Sequence, residues 1–196
     1  MTTVTIKRRS TVYPGFLKVD QVTYTIPRFA GGEVEQTREV LERGDSAAAL
    51  IHDLDSDELV FTEQFRFPVY LKGPETTETG KGWILEAAAG SVPSDEHPDQ
   101  TMRRELMEET GYDVTKLDLI ASFYVSPGGT SERIFLFYAP VRKQDLKNPH
   151  ASGLASETED IVSRRFSRAT AFAMLDDGKF VDAKTIIGLQ WLRLKR

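Results

Sequence analysis

From Phe16 to about Val40 the chain alternates apolar and polar side chains, first as FLKVDQVTYTI and then as EVEQTREVLER, with Ala30-Gly31-Gly32 between the two runs. A period of two places one set of side chains on each face of a strand, and the glycines supply a turn, so the pattern predicts a small antiparallel unit. A continuous apolar run, AAALIH from Ala47 to His52, predicts a buried strand. The acidic stretch Asp53 to Asp57 then makes a turn, and LVFTEQFRF from Leu59 to Phe67 returns as the second strand of a hairpin. Lys72 to Lys81, KGPETTETGK, is polar and glycine-containing and reads as a loop. WILEAAA, from Trp83 to Ala89, reads as one strand running into Gly90. Later, LDLIASFYV, RIFLFYAP and DIVSRRF read as strands, with an irregular stretch from Lys143 to about Thr158, and SRATAFAMLDDG and AKTIIGLQWLRLKR as C-terminal helices. Strands interleaved with few helices predict an α/β fold in which a mixed sheet lies between helical layers. The expected organisation is an N-terminal β unit over residues 1–43 and a main domain over residues 44–196.

The stretch Gly90 to Tyr112, GSVPSDEHPDQTMRRELMEETGY, carries the chemistry. Pro98 suits a first helical position, Met102 and Leu106 lie four apart as a buried stripe, and Gly111 suits the left-handed residue that ends a helix, so a helix is expected from Pro98 to Thr110. Glu105, Glu108 and Glu109 fall at i, i+3 and i+4 and project from one face. Each like-charge pair at this spacing costs a few tenths of a kcal/mol, and Arg104 alone offsets them within the turn. Divalent cations, which take oxygen ligands, would relieve that repulsion.

The spacing G-x5-E-x7-R-E-U-x-E-E-x-G-U is met by Gly90, Glu96, Arg104, Glu105, Leu106, Glu108, Glu109, Gly111 and Tyr112. In this the chain resembles the Nudix hydrolases, with one departure at Tyr112, a packing position where the pattern favours an aliphatic residue. The resemblance implies a Nudix fold, Mg²⁺-dependent cleavage of a diphosphate with Mn²⁺ as an alternative ion, and an organising role for Arg104 with Glu96 as its partner. It implies metal ligation by Glu105, Glu109 and a backbone carbonyl near Ala89, with Glu108 or Glu159 as further candidates. Cations would screen the phosphate oxygens from the charge that otherwise repels a nucleophile.

Two further segments narrow the resemblance. Ser126 to Glu132, followed by Arg133, reads SPGGTSER; taken alone it is a turn, but a proline at this distance after the glutamates resembles the bacterial ADP-ribose pyrophosphatase branch of the family. That branch implies that Glu132 accepts from the terminal ribose hydroxyls. The segment GLASETEDI from Gly153 to Ile161 extends the resemblance and implies Glu157 as catalytic base, with Glu108 as its rival, and Glu159 at the metal. Arg38, Arg43 and Arg66 are expected at strand ends; the resemblance implies that arginines of these segments reach the pyrophosphate or the adenine, and Arg38 and Arg66 are the candidates, since a guanidinium fork matches phosphate oxygens. Phe16 is the candidate aromatic for stacking on the base, in an N-terminal unit that the resemblance makes dimer-forming. The implied substrate is ADP-ribose, split into AMP and ribose 5-phosphate. The alternative is another nucleoside diphosphate sugar such as GDP-mannose, and the complete set of glutamates argues against a non-catalytic ADP-ribose sensor.

Composition removes other classes. With 25 Lys and Arg against 30 Asp and Glu, the net charge of −5 argues against a general nucleic-acid binder. Cysteine is absent, so disulfides and thiolate metal sites are excluded. His52, His97 and His150 show no paired zinc spacing and are expected at the surface or in loops. No apolar run has the length of a signal-peptide core or a membrane span, and the expected location is cytoplasmic.

Overall fold

The computed structural model describes residues 3–72, 80–153 and 160–195. Its internal contacts divide the chain into two units, residues 1–45 with 124–133 and residues 46–123 with 134–196.

The first unit is a three-stranded antiparallel sheet, β1 (Thr5–Tyr13), β2 (Lys18–Pro27) and β3 (Glu33–Glu42), in the order β1-β2-β3. The alternating runs become β2 and β3. β1 is an addition to the sequence reading, because its mainly polar residues are exposed throughout and carry no clean periodicity. Its register on β2 is set in part by Asp20, a buried carboxylate that accepts from Thr11 Oγ1 at 2.7 Å and pairs with Arg9 at 2.6 Å and Lys18 at 3.1 Å. The loop at Ser126 to Glu132 belongs to this unit through Leu41: the Leu41 amide donates to Gly129 O (2.9 Å), and Leu41 O accepts from the Ser131 amide (3.0 Å) and Thr130 Oγ1 (3.1 Å).

The second unit contains β4 (Asp45–Asp53), β5 (Glu58–Phe65), α1 (Phe67–Lys72), β6 (Trp83–Glu86), β7 (Ala88–Ser91), α2 (Pro98–Glu105), a π-helical turn (Leu106–Thr110), β8 (Asp118–Tyr124), β9 (Arg133–Val141), a short 3-10 turn (Lys143–Asp145), β10 (Ile161–Ser167), α3 (Arg168–Asp176) and α4 (Ala183–Leu194). The strands form a seven-stranded mixed sheet in the order β10-β5-β4-β9-β8, with β6 on β5 and β7 on β4. The predicted hairpin forms with Ile51 opposite Val60, but the two strands pair only over the three positions nearest the turn. Beyond that they splay, β4 pairing with β7 from Ser46 to Ala49 and β5 pairing with β6 from Thr62 to Phe65. The single strand expected at Trp83–Ala89 is therefore two strands that break at Ala87 and take different partners.

Alternation along the sheet feeds two cores. Val60, Ile51 and Ala49 pack with Met102, Leu106 and Tyr112 beneath α2, while Phe61, Leu59 and Leu50 pack with Ala171, Leu189 and Leu192 of α3 and α4. The sheet is thus covered by helices on both faces, the arrangement expected of a mixed α/β fold.

Candidate active site

The loop after β7 enters α2 through Pro98, and the His97 amide donates to Gln100 Oε1 at 3.1 Å to close the helix start. Met102 and Leu106 are fully buried, as their spacing requires, and truncating either to alanine would cost about 2–5 kcal/mol. The continuous α-helix expected to Thr110 ends at Glu105; the next five residues form the wider π turn. There Leu106 O accepts from Thr110 Oγ1 (2.6 Å) and the Tyr112 amide (3.3 Å). Hydroxyl competition for a helical carbonyl of this kind bends or loosens the ladder, and such π turns recur at functional sites. Gly111 closes the element at φ 74°.

The wider turn separates the three acids by environment. Glu109 is turned inward and is 4% exposed, whereas the side chains of Glu105 and Glu108 retain 14% and 23% exposure. Arg104 holds the outer pair, with Nη2 at 3.0 Å from Glu105 Oε1 and Nη1 at 2.9 Å from Glu108 Oε2. Its expected partner Glu96 is the most distant of the three, at 3.8 Å, and Glu96 is also fixed by Thr101 Oγ1 at 2.7 Å. Partial burial alone would lower the Arg104 pKa, but Glu105, Glu108 and Glu96 outweigh it and hold the group above its ordinary value. Arg104 therefore restrains the acids while remaining fully charged.

Gly90 seats Glu105. A Cβ placed on Gly90 would lie 2.1 Å from both Cδ and Oε1 of Glu105, so the carboxylate rests in the space that only glycine leaves open. The donors gathered here are carboxylate oxygens, hard ligands that fit a divalent cation. Among the described residues no three His, Cys, Asp or Glu side chains stand together in ligating geometry. Glu157 and Glu159, two of the residues assigned to the chemistry, lie outside the described residues.

A second charged group adjoins the end of β6. Arg66 follows β5 and donates from Nε to Glu86 Oε1 at 2.7 Å. Burial would lower the Arg66 pKa, but Glu86 first, and then Glu109 and Asp182, raise it above its ordinary value. Arg66 thus lies within the field of the inward glutamate. Glu86 also accepts from Lys184, which reaches it from the first turn of α4. Lys184, Asp182 and Thr185 are not among the residues that the sequence singles out. A signal existed, since a lysine in the first turn opposes the helix dipole, and Asp-x-x-Thr is a helix-capping pattern.

The remaining candidates sit in the first unit. Arg38 is not at a strand end as expected but mid-β3, opposite Val22 and exposed, because the alternation continues to Glu42. Phe16 is 85% exposed and lies beneath the Arg43 guanidinium, 5.1 Å from ring centroid to Cζ. Glu132 ends the Ser126 loop with its amide donating to Thr130 Oγ1 at 3.1 Å. His52, expected at the surface, is buried, because Tyr138 OH and Asp57 each lie 2.8 Å from one of its ring nitrogens.

A scan of family models matches the NUDIX domain over residues 42–187. The chain is 38% identical to an ADP-ribose pyrophosphatase of Escherichia coli strain K12, over 97% of this chain and 88% of that protein. It is 37% identical to a GDP-mannose pyrophosphatase of Pectobacterium atrosepticum, over 85% of this chain and 82% of that protein. A solved structure described as the crystal structure of an ADP compounds hydrolase superposes with a TM-score of 0.70 at 20% identity, covering 97% of this chain and 92% of the other. Among the described residues no helix is long and apolar enough to cross a membrane.

Proposed function

The chain belongs to the Nudix family of hydrolases, and on that premise we propose that it hydrolyses the diphosphate of ADP-ribose to AMP and ribose 5-phosphate. The observation that carries this reading is the seating of Glu105 against Gly90, with Glu108 and Glu109 following on the π turn. The substrate is supported by the near full-length relation to an ADP-ribose pyrophosphatase. A second reading, hydrolysis of GDP-mannose, is favoured by the nearly equal identity to GDP-mannose pyrophosphatases.

Glu105, Glu109, Glu159 and the carbonyl of Ala89 would hold Mg²⁺, with Mn²⁺ as the alternative. When bound, the ion supplies charge that screens the phosphate oxygens and stabilises the leaving phosphate. Glu157 takes the proton of the attacking water, a contribution of about a hundredfold to ten-thousandfold for a well-placed general base. Glu108 is the rival base, but it is already engaged by Arg104. Arg104 keeps the acids from recoiling while the ion is absent. Arg66 and Arg38 offer guanidinium donors to the diphosphate oxygens, Glu132 accepts from the distal ribose hydroxyls, and Phe16 stacks on the base. The working form we propose is a cytoplasmic homodimer joined through the N-terminal β unit, acting on a free nucleoside diphosphate sugar and on neither nucleic acid nor membrane.

The test is hydrolysis of ADP-ribose, GDP-mannose, UDP-glucose and dinucleotides side by side with Mg²⁺. ADP-ribose is expected to give the highest kcat/KM. Preference for GDP-mannose would establish the second reading, and hydrolysis of none would contradict both.

A further inference from the structure

Lys184 stands in the first turn of α4 and is 8% exposed, a costly place for a cation on grounds of both burial and the helix dipole. Its surroundings offset the cost. Asp182 caps the helix, Oδ2 accepting from the Thr185 amide at 3.0 Å, and its Oδ1 accepts from Lys184 Nζ at 3.0 Å. Lys184 Nζ donates again to Glu86 Oε2 at 2.5 Å, and the other oxygen of Glu86 accepts from Arg66 Nε at 2.7 Å. Charges therefore alternate along Asp182, Lys184, Glu86 and Arg66, and they sum to zero. Glu86 and Lys184 are buried, whereas the Arg66 side chain is 43% exposed. Burial would lower the Lys184 pKa, but Glu86 and Asp182 outweigh it and hold the ammonium above its ordinary value.

The same helix turn meets the break between β6 and β7. The Ala87 amide, which leaves the strand ladder at that break, donates to Thr185 Oγ1 at 2.7 Å. Glu86 O accepts from Thr62 Oγ1 at 3.2 Å, so the backbone of Glu86 is fixed on both sides. What remains adjustable is its carboxylate. A carboxylate facing an arginine prefers a two-point fork, with both oxygens engaged by one guanidinium. Here the Lys184 ammonium occupies Oε2, and the contact with Arg66 runs from Nε to Oε1.

We propose that Lys184 is a positioning residue for the diphosphate: by holding one oxygen of Glu86 it confines that carboxylate to a single contact with Arg66 and leaves the Nη groups of Arg66 turned toward the substrate. The inference rests on the reading of Arg66 as a phosphate-binding residue. Without Lys184, Glu86 takes Arg66 in a two-point fork and draws the guanidinium away from the phosphate oxygens. The loss falls on substrate binding and leaves the chemical step in place.

Lys184→Met keeps the length of the side chain and removes the ammonium. It is expected to raise KM for the hydrolysed diphosphate about tenfold while kcat stays within about twofold, and to move the Arg66 Nε–H resonance in the ¹⁵N spectrum of the substrate-free protein. The double variant Lys184→Met/Glu86→Gln removes the uncompensated buried charge, so it folds even where the single variant is weakened. Its amide offers Arg66 only one acceptor oxygen, and KM is expected to return to within about threefold of the wild type. An unchanged KM and an unmoved Arg66 resonance in Lys184→Met, with only a lowered melting temperature, would overturn the proposal and leave Lys184 a purely structural residue. A KM that stays raised in the double variant would also overturn it. Wild-type protein that hydrolyses no diphosphate would defeat the functional reading alone, because the resonance, read without substrate, still decides the role of Lys184.

Discussion

Gly90 and Glu105 form one device, although the sequence separates them by fifteen positions. The glycine is required by the carboxylate resting on it and not by its own backbone, whose φ is not positive. Gly90→Ala is therefore expected to unfold at nearly the wild-type denaturant concentration, since the atoms it displaces are the end of a flexible side chain. Hydrolysis should nevertheless fall by about a hundredfold, because a catalytic group misplaced by about 1 Å costs on that order; parallel unfolding and steady-state measurements check both halves. The family resemblance brought Gly90 and Glu105 into one pattern but could not say that they touch. Tyr112 is a similar case. As a packing position it is fully buried, and its departure from an aliphatic residue is explained by its hydroxyl, which accepts from Arg165 Nη1 at 2.6 Å. That arginine lies 53 residues further along, beyond the reach of any local pattern.

At the scale of elements, the helix start, the Met102 and Leu106 stripe and the Gly111 stop were legible because capping chemistry and 3.6-residue periodicity are local. The change to a π turn was not, since it depends on which donor wins Leu106 O. Gly111 is more than a stop: a Cβ there would lie 1.7 Å from Asn148 O, and the residue sits at φ 74°. Its own carbonyl accepts from the amides of Lys147 and Asn148, at 2.8 and 3.2 Å, which ties the end of the π turn to the segment after β9. Gly111→Ala must strain the backbone and push that segment away together, and it is expected to cost about 2–4 kcal/mol, read as a lowered urea midpoint. The break between β6 and β7 was hidden for a related reason. WILEAAA is uniformly apolar apart from Glu86, and the residue that takes up the Ala87 amide, Thr185, lies 98 positions away. α1 leaves no apolar pattern to read, because it is six residues long and buries none of them.

At the scale of the whole molecule, the two units hold different candidate residues. The second holds the glutamates, Arg104 and Arg66; the first holds Phe16, Arg38 and Glu132, which the sequence resemblance assigns to the substrate. The first unit also has its own acid sensitivity. Asp20 has its pKa lowered from the ordinary 3.8 to about 2, chiefly by the Thr11 hydroxyl and, against the opposing effect of burial, by Arg9 and Lys18. A carboxyl depressed in the folded state stabilises above its unfolded pKa, and that contribution is lost as pH falls through the folded value. Asp20→Asn should therefore weaken protection of the β1 and β2 amides at pH 5, and the difference from wild type should narrow between pH 4 and pH 2. A difference independent of pH would assign Asp20 no linked proton. The carboxylates on α2 and the π turn are proposed to perform the cleavage, and Glu109→Gln probes that role, because it removes one charge from a buried side chain while keeping its shape. With Mg²⁺ and ADP-ribose, release of AMP is expected to fall by about a hundredfold or more at an unchanged unfolding midpoint; AMP release near the wild-type rate would remove these carboxylates from the cleavage.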